Sequence, residues 1–142
     1  MKKLLTLLSL TMAITAFGTP QGNTEKTDTM TITATVISPL TIEKTQDMDF
    51  GNIIQGTRAT ATSGYIITGE KGQPITVTID DSVLLSNQKT KTSLVVGIET
   101  DLPQSLDNNG NANVSVLGSL NIPNDQQVGT YTGTLVARVQ YQ

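Results

Sequence analysis

Residues 29–36 alternate without a break, with Met30, Ile32, Ala34 and Val36 on one side and Thr29, Thr31, Thr33 and Thr35 on the other. A period of two sends successive side chains to opposite faces of an extended backbone. Such a segment can bury one face as a strand and cannot do so as a helix. The period returns at the other end of the chain. There Tyr131, Gly133, Leu135, Ala137, Val139 and Tyr141 share one face, and Thr130, Thr132, Thr134, Arg138 and Gln140 share the other. Thr alone supplies 24 of the 142 residues, and its branched side chain suits a pleated surface.

Between these two segments the pattern predicts further short strands. They are residues 40–44, residues 47–55 with Phe50 inward and Gly51 at a bulge or close approach, and residues 58–68 interrupted at Gly64. Pro74 opens another, with Ile75, Val77 and Ile79 inward; residues 82–91 read as loop, and residues 93–99 place Leu94, Val96 and Ile98 on one face. Asn109-Gly110 suits the positive φ angles of a tight hairpin, and residues 112–122 return from it. No sustained helical period follows residue 18. Seven or eight short strands punctuated by turns predict an all-β antiparallel sandwich.

The start of the chain reads differently. Met1, Lys2 and Lys3 precede an apolar run over residues 4–17 broken only by Thr and Ser. A membrane-spanning helix needs about 20 apolar residues, so this is read as a secretory signal peptide, residues 1–18, cleaved after Gly18. Removing Lys2 and Lys3 takes the formal balance from 9 − 12 = −3 to 7 − 12 = −5. No second apolar segment follows, so membrane insertion is not expected. Residues 19–37 then form an N-terminal extension and residues 38–142 the domain.

Composition narrows the function. With no Cys, His or Trp, the chain has no Ser-His-Asp or Cys-His machinery, no zinc cluster and no iron–sulfur site. A non-enzymatic protein without cofactor or metal is expected. Nine basic against twelve acidic residues argue against a grip on nucleic acid. Asp47 and Asp49 read as a solvated face, residues 107–111 as a turn whose spacing does not fit an EF-hand, and Arg58 and Arg138 as surface residues. The few aromatics do not make the girdles of a membrane barrel.

A long apolar end strand invites pairing with another chain unless charge or Pro blocks it. Residues 30–36 contain neither. In this respect the chain resembles chaperone–usher pilins, whose last strand carries an aromatic next to the C-terminus and a Gly fourteen residues from the end. Tyr141 is penultimate here, and Gly129 is fourteenth counting back from Gln142. Residues 29–36 look like the extension of a cysteine-free, class 5 type of fimbrial major subunit. Residues 40–56, 106–120 and 129–141 resemble a bacterial pilin-like family of otherwise uncharacterised exported domains.

That resemblance implies an incomplete immunoglobulin-like sandwich completed by a donor strand from a neighbour. Met30, Ile32, Ala34 and Val36 would be the donor residues. Gly129, Tyr131, Leu135, Ala137, Val139 and Tyr141 would line the acceptor groove and meet the chaperone. The implied partners are neighbouring copies in a filament, a periplasmic chaperone, an outer-membrane usher and a host receptor. The expected place is a pilus on the bacterial surface, reached through the periplasm. The rival expectation is a monomeric secreted immunoglobulin-like module that binds a glycan or host protein.

Overall fold

The computed structural model describes residue 22 and residues 25–142. The signal peptide expected at residues 1–18 lies outside the described residues. Seven strands follow in chain order: β1 (Thr41–Lys44), β2 (Arg58–Thr68), β3 (Ile75–Ile79), β4 (Ser82–Ser86), β5 (Ser93–Asp101), β6 (Asn111–Asn121) and β7 (Ala137–Tyr141). Among the described residues there is no helix.

Every ladder is antiparallel. Five strands form one sheet in the order β1-β2-β6-β5-β4, and β3 pairs with β7 in a second. In an immunoglobulin sandwich, strands A, B, E and D make one sheet and C, F and G the other. By chain order and pairing, β1, β2, β6 and β5 take the places of A, B, E and D, and β3 and β7 those of C and F. β4 is an added edge strand. The protein is an all-β, immunoglobulin-like antiparallel sandwich. Among the described residues, no strand takes the G position beside β7.

The inward period of each strand builds the core. Ile67 of β2, Leu94, Val96 and Ile98 of β5, and Val114, Val116 and Leu120 of β6 pack with Ile75 and Val77 of β3. The β2–β6 ladder runs from Arg58↔Asn121 to Thr68↔Asn111, about 33 Å at strand rise, and gives the sandwich two ends. The root end holds Thr41, opposite Thr68, and the far end holds Gly56, whose amide reaches the Pro123 carbonyl at 3.3 Å.

Several sequence expectations are altered by contacts that periodicity does not report. Gly64 does not interrupt β2; a Cβ there would stand 2.5 Å from the Val114 carbonyl oxygen, so its bare backbone lets β6 approach. Residues 82–86, read as loop, form β4 because the edge of β5 is available to them. The turn at Asn109-Gly110 has the expected positive φ at Gly110, +81°, yet it does not join two adjacent strand ends. The β5–β6 ladder stops at Asp101↔Ser115, and the intervening excursion docks on residues 69–72, with Gly69 N–H to Gly110 O at 2.9 Å. Residues 47–55 form no strand. The terminal strand is shorter than its alternation, because only residues 137–141 find β3 as a partner.

The chain divides into a unit ending at Ala34 and a unit Thr35–Gln142. Residues 25–39 enter no ladder. Met30, Ile32 and Val36 are 86%, 89% and 94% exposed, and Ala34 is exposed as well.

Candidate functional site: an open groove on the inner face of the sandwich

A cavity of about 1140 Å³ opens into the Thr35–Gln142 unit. Its floor is the inner face of the five-stranded sheet, with Val83, Leu85, Leu94, Val96, Val116 and Leu120. One wall is residues 46–55, which present Met48, Phe50 and Ile53; the other is residues 126–135, which present Val128, Gly129, Tyr131 and Leu135. Several of these apolar groups are only partly buried although they pack on the core: Met48, Phe50, Ile53, Val83, Leu85, Tyr131 and Leu135.

Neither wall forms a ladder. Among the described residues, residues 46–55 make no backbone-to-backbone hydrogen bond beyond the local turn from Thr57 N–H to Ile54 O. Gly51, at φ +66°, turns the chain there, and its amide donates to the Asp49 carboxylate at 2.8 Å. Gly118 of β6 leaves room beneath this wall, since a Cβ on it would meet Met48 and Phe50. Residues 127–136 make one reciprocal backbone pair, Ser86 N–H to Thr132 O at 2.8 Å and Thr132 N–H to Ser86 O at 3.1 Å. Beside it, Gly133 lets the Leu84 carbonyl come within 2.7 Å of where its Cβ would be. The Gln55 side-chain amide donates to the Gln126 carbonyl. The end of the first wall therefore meets the start of the second, and the two walls run in opposite directions.

Tyr131 anchors the second wall. Its hydroxyl donates to the Gln127 carbonyl at 2.7 Å, lies 2.7 Å from Thr92 Oγ1 and accepts from Gln126 Nε2 at 2.6 Å. A tyrosine bonded to backbone a few residues upstream is the corner that opens strand F in immunoglobulin-like domains. Desolvation pushes the Tyr131 phenol up, but hydrogen bonds from Thr92, Gln126, Thr90 and Asn87 outweigh it and leave the group below its ordinary value. Asn87 is buried, and its Oδ1 caps the amides of Lys89 and Thr90 at 3.0 and 3.2 Å. Gly129, at φ +148°, provides space for the Asn87 amide.

The six residues expected at an acceptor groove divide into two groups. Gly129, Tyr131 and Leu135 line the cavity. Ala137, Val139 and Tyr141 belong to β7 and pair with Ile79, Val77 and Ile75 of β3. Tyr141 has a separate task at the root end. Its hydroxyl donates to the Ser38 carbonyl at 2.7 Å and accepts from the Glu70 amide at 2.7 Å. Glu70 Oε2 in turn accepts from Ser38 N–H at 3.1 Å and Ser38 Oγ at 2.9 Å. The backbone bond from Ser38, then its side-chain bond, hold the Glu70 carboxyl below its ordinary value, with a smaller contribution from Lys71.

Sequence reasoning placed Phe50 inward but did not assign residues 46–55 to the groove, and it missed the β4 part of the floor. Met48 and Phe50 carry a short alternation, and Val83 and Leu85 carry another within a segment read as loop. Asp47 and Asp49 do not act together: Asp47 pairs with Lys44, and Asp49 caps Gly51. Among the described residues, no group of three acidic side chains is placed to hold a metal ion.

The family described as domain of unknown function (DUF4402) matches residues 57–141, more than half of the sequence. The chain belongs to the DUF4402 family. The match covers β2 to β7 and the Tyr131 wall of the groove; the first wall and the extension precede it. Neither a curated protein nor a solved structure matches the chain significantly.

Proposed function

We propose that this DUF4402 protein is a structural subunit of a bacterial surface pilus or fimbria, joined head-to-tail by donor-strand complementation as in chaperone–usher pilins. The observation that carries the reading is the groove itself: an apolar floor between two walls that form no ladder with each other, the second of which leads into β7, beside which no described strand takes the G position. A strand laid between the walls would supply both ladders and bury one of its faces. That is strand addition, in which backbone bonds give affinity and alternate side chains give specificity. Residues 29–36 carry the required alternation, and their apolar members are exposed.

A donor from a second copy leaves that copy's own groove open for a third. The contact is heterologous and does not close, so its product is a filament. Met30, Ile32, Ala34 and Val36 are the proposed donor residues. During export, a periplasmic chaperone and an outer-membrane usher would protect the groove until a neighbour fills it. A domain without Cys then gains its last strand from a partner rather than a disulfide.

The test is to express residues 19–142 and a variant lacking residues 19–37, and to compare them by sizing chromatography and unboiled denaturing gels. Ladders that disappear with the deletion are expected. Folded monomers from both chains would overturn the proposal and favour a monomeric binding module.

A further inference from the structure

We propose that the far end of the sandwich, at Ile54 and Val128, is the surface against which the body of the next copy rests, with that copy's Ile37 at the contact. The inference depends on the strand-donation reading and adds a second, body-to-body interface to it.

The first consideration is the length of chain between donor strand and body. Val36 is the last donor residue, and Ser38 is held to its own body by Glu70 and Tyr141. Two residue steps span at most about 7 Å. A copy whose Val36 sits in a neighbour's groove must bring its own Ser38 end up to the mouth of that groove. No slack remains to hold the bodies apart.

The second consideration decides which mouth. Ser38 lies at the root end, near Thr41, Thr68 and Tyr141. A repeated head-to-tail contact joins two different surfaces of the chain, and setting the root end of one copy against the far end of the next keeps successive bodies in line. That opposite end is where the walls meet through Gln55 and Gln126. The donor then runs against the direction of residues 127–136, as strand G runs against F.

Two large apolar side chains stand exposed beside the junction of the walls. Ile54, next to Gln55, is 76% exposed, and Val128, two residues after Gln126, is 85% exposed. On the incoming copy, Ile37 stands exposed beside Ser38. The contact would remove all three from water at the place where the short connection forces the bodies together.

The chain has no Cys, so introduced thiols report without background. Full chains carrying Ile37→Cys with Ile54→Cys should give a reducible covalent ladder when polymers are oxidised or treated with a short thiol crosslinker. Chains carrying Ile37→Cys with Asp47→Cys, at the other end of the first wall, should give none. Ile54 does not line the cavity. An Ile54→Asp chain should therefore take up a labelled peptide of residues 25–37 as before while its polymers shorten several-fold. Polymers that crosslink only through the Asp47 pair, or keep their length with Ile54→Asp, would overturn the contact and leave strand donation standing. A full chain that forms no polymer overturns both.

Discussion

Appending residues 25–37 through a short linker after Gln142 should fill the groove from within the same chain, and an alanine scan of the appended strand then reads its register. Isoleucine 32 gives the largest clean signal. The Ile32 side chain is almost fully exposed in its own extension, and seating it in the groove against partly buried groups such as Phe50 and Leu85 would remove nearly all of it from water. Ile→Ala deletes roughly three methylene equivalents, and at about 0.8 kcal/mol each the loss is about 2.4 kcal/mol. Differences between variants are sounder here than an absolute sum, because the unfolded reference is shared. With a urea slope of about 1–3 kcal/mol per molar, the midpoint of unfolding should fall by about 1–2 M. Thr31→Ala and Thr33→Ala, on the outward face, should change stability by no more than about 0.5 kcal/mol. Met30 and Val36 should follow Ile32. Equal losses on both faces, or no gain of the fused chain over the deletion variant, would refute strand insertion in this register.

Two further substitutions probe the supports of the site. Tyr131→Phe removes the bonds to Gln127, Thr92 and Gln126; the expected loss is about 1–2 kcal/mol, seen as a fall in Tm of roughly 4–15 °C. Tyr65→Phe, whose hydroxyl has no hydrogen bond to the described residues, should be nearly neutral in the same scan. Glu70 has its folded pKa depressed by Ser38, so its contribution is present above the unfolded carboxylate pKa and is lost as the pH falls through the folded one. Glu70→Gln should flatten that part of the stability profile, which lies below the ordinary glutamate pKa; identical urea midpoints against pH in both proteins would contradict the Ser38 clamp.

The sandwich was legible in the sequence where the period of two coincides with burial. Ile75 and Val77, and Leu94, Val96 and Ile98, point inward as their spacing predicts. The groove was legible only in part. Tyr131 and Leu135 fall on the expected face, but alternation runs unbroken from residue 130 to residue 141 and carries no sign that the ladder begins at Ala137. That boundary depends on where β3 ends, which is a fact about a partner. Phe50 was expected inward, but the place of the first wall in the groove was hidden for another reason. Met48 and Phe50 reach their places over Gly118, some seventy positions later in the chain, and local spacing records neither the absent side chain nor the space it leaves. β4 shows the same limit: its five residues are ambiguous until the edge of β5 is beside them.

The clamp of Ser38 by Glu70 and Tyr141 has a mechanical consequence. It ties the point where the extension leaves the body to the last residue of β7, the strand into which the second groove wall leads. In a fibre built as proposed, tension would enter each body at Ser38, cross to β7 through Tyr141, and leave through a strand lying lengthwise in the groove. A strand pulled along its own axis loads its backbone bonds together, in shear, whereas one peeled from its end breaks them singly. The route from one junction to the next would then run along one edge of the sandwich and bypass most of the core, so a stretched fibre could carry load without opening the layers that hold each body together.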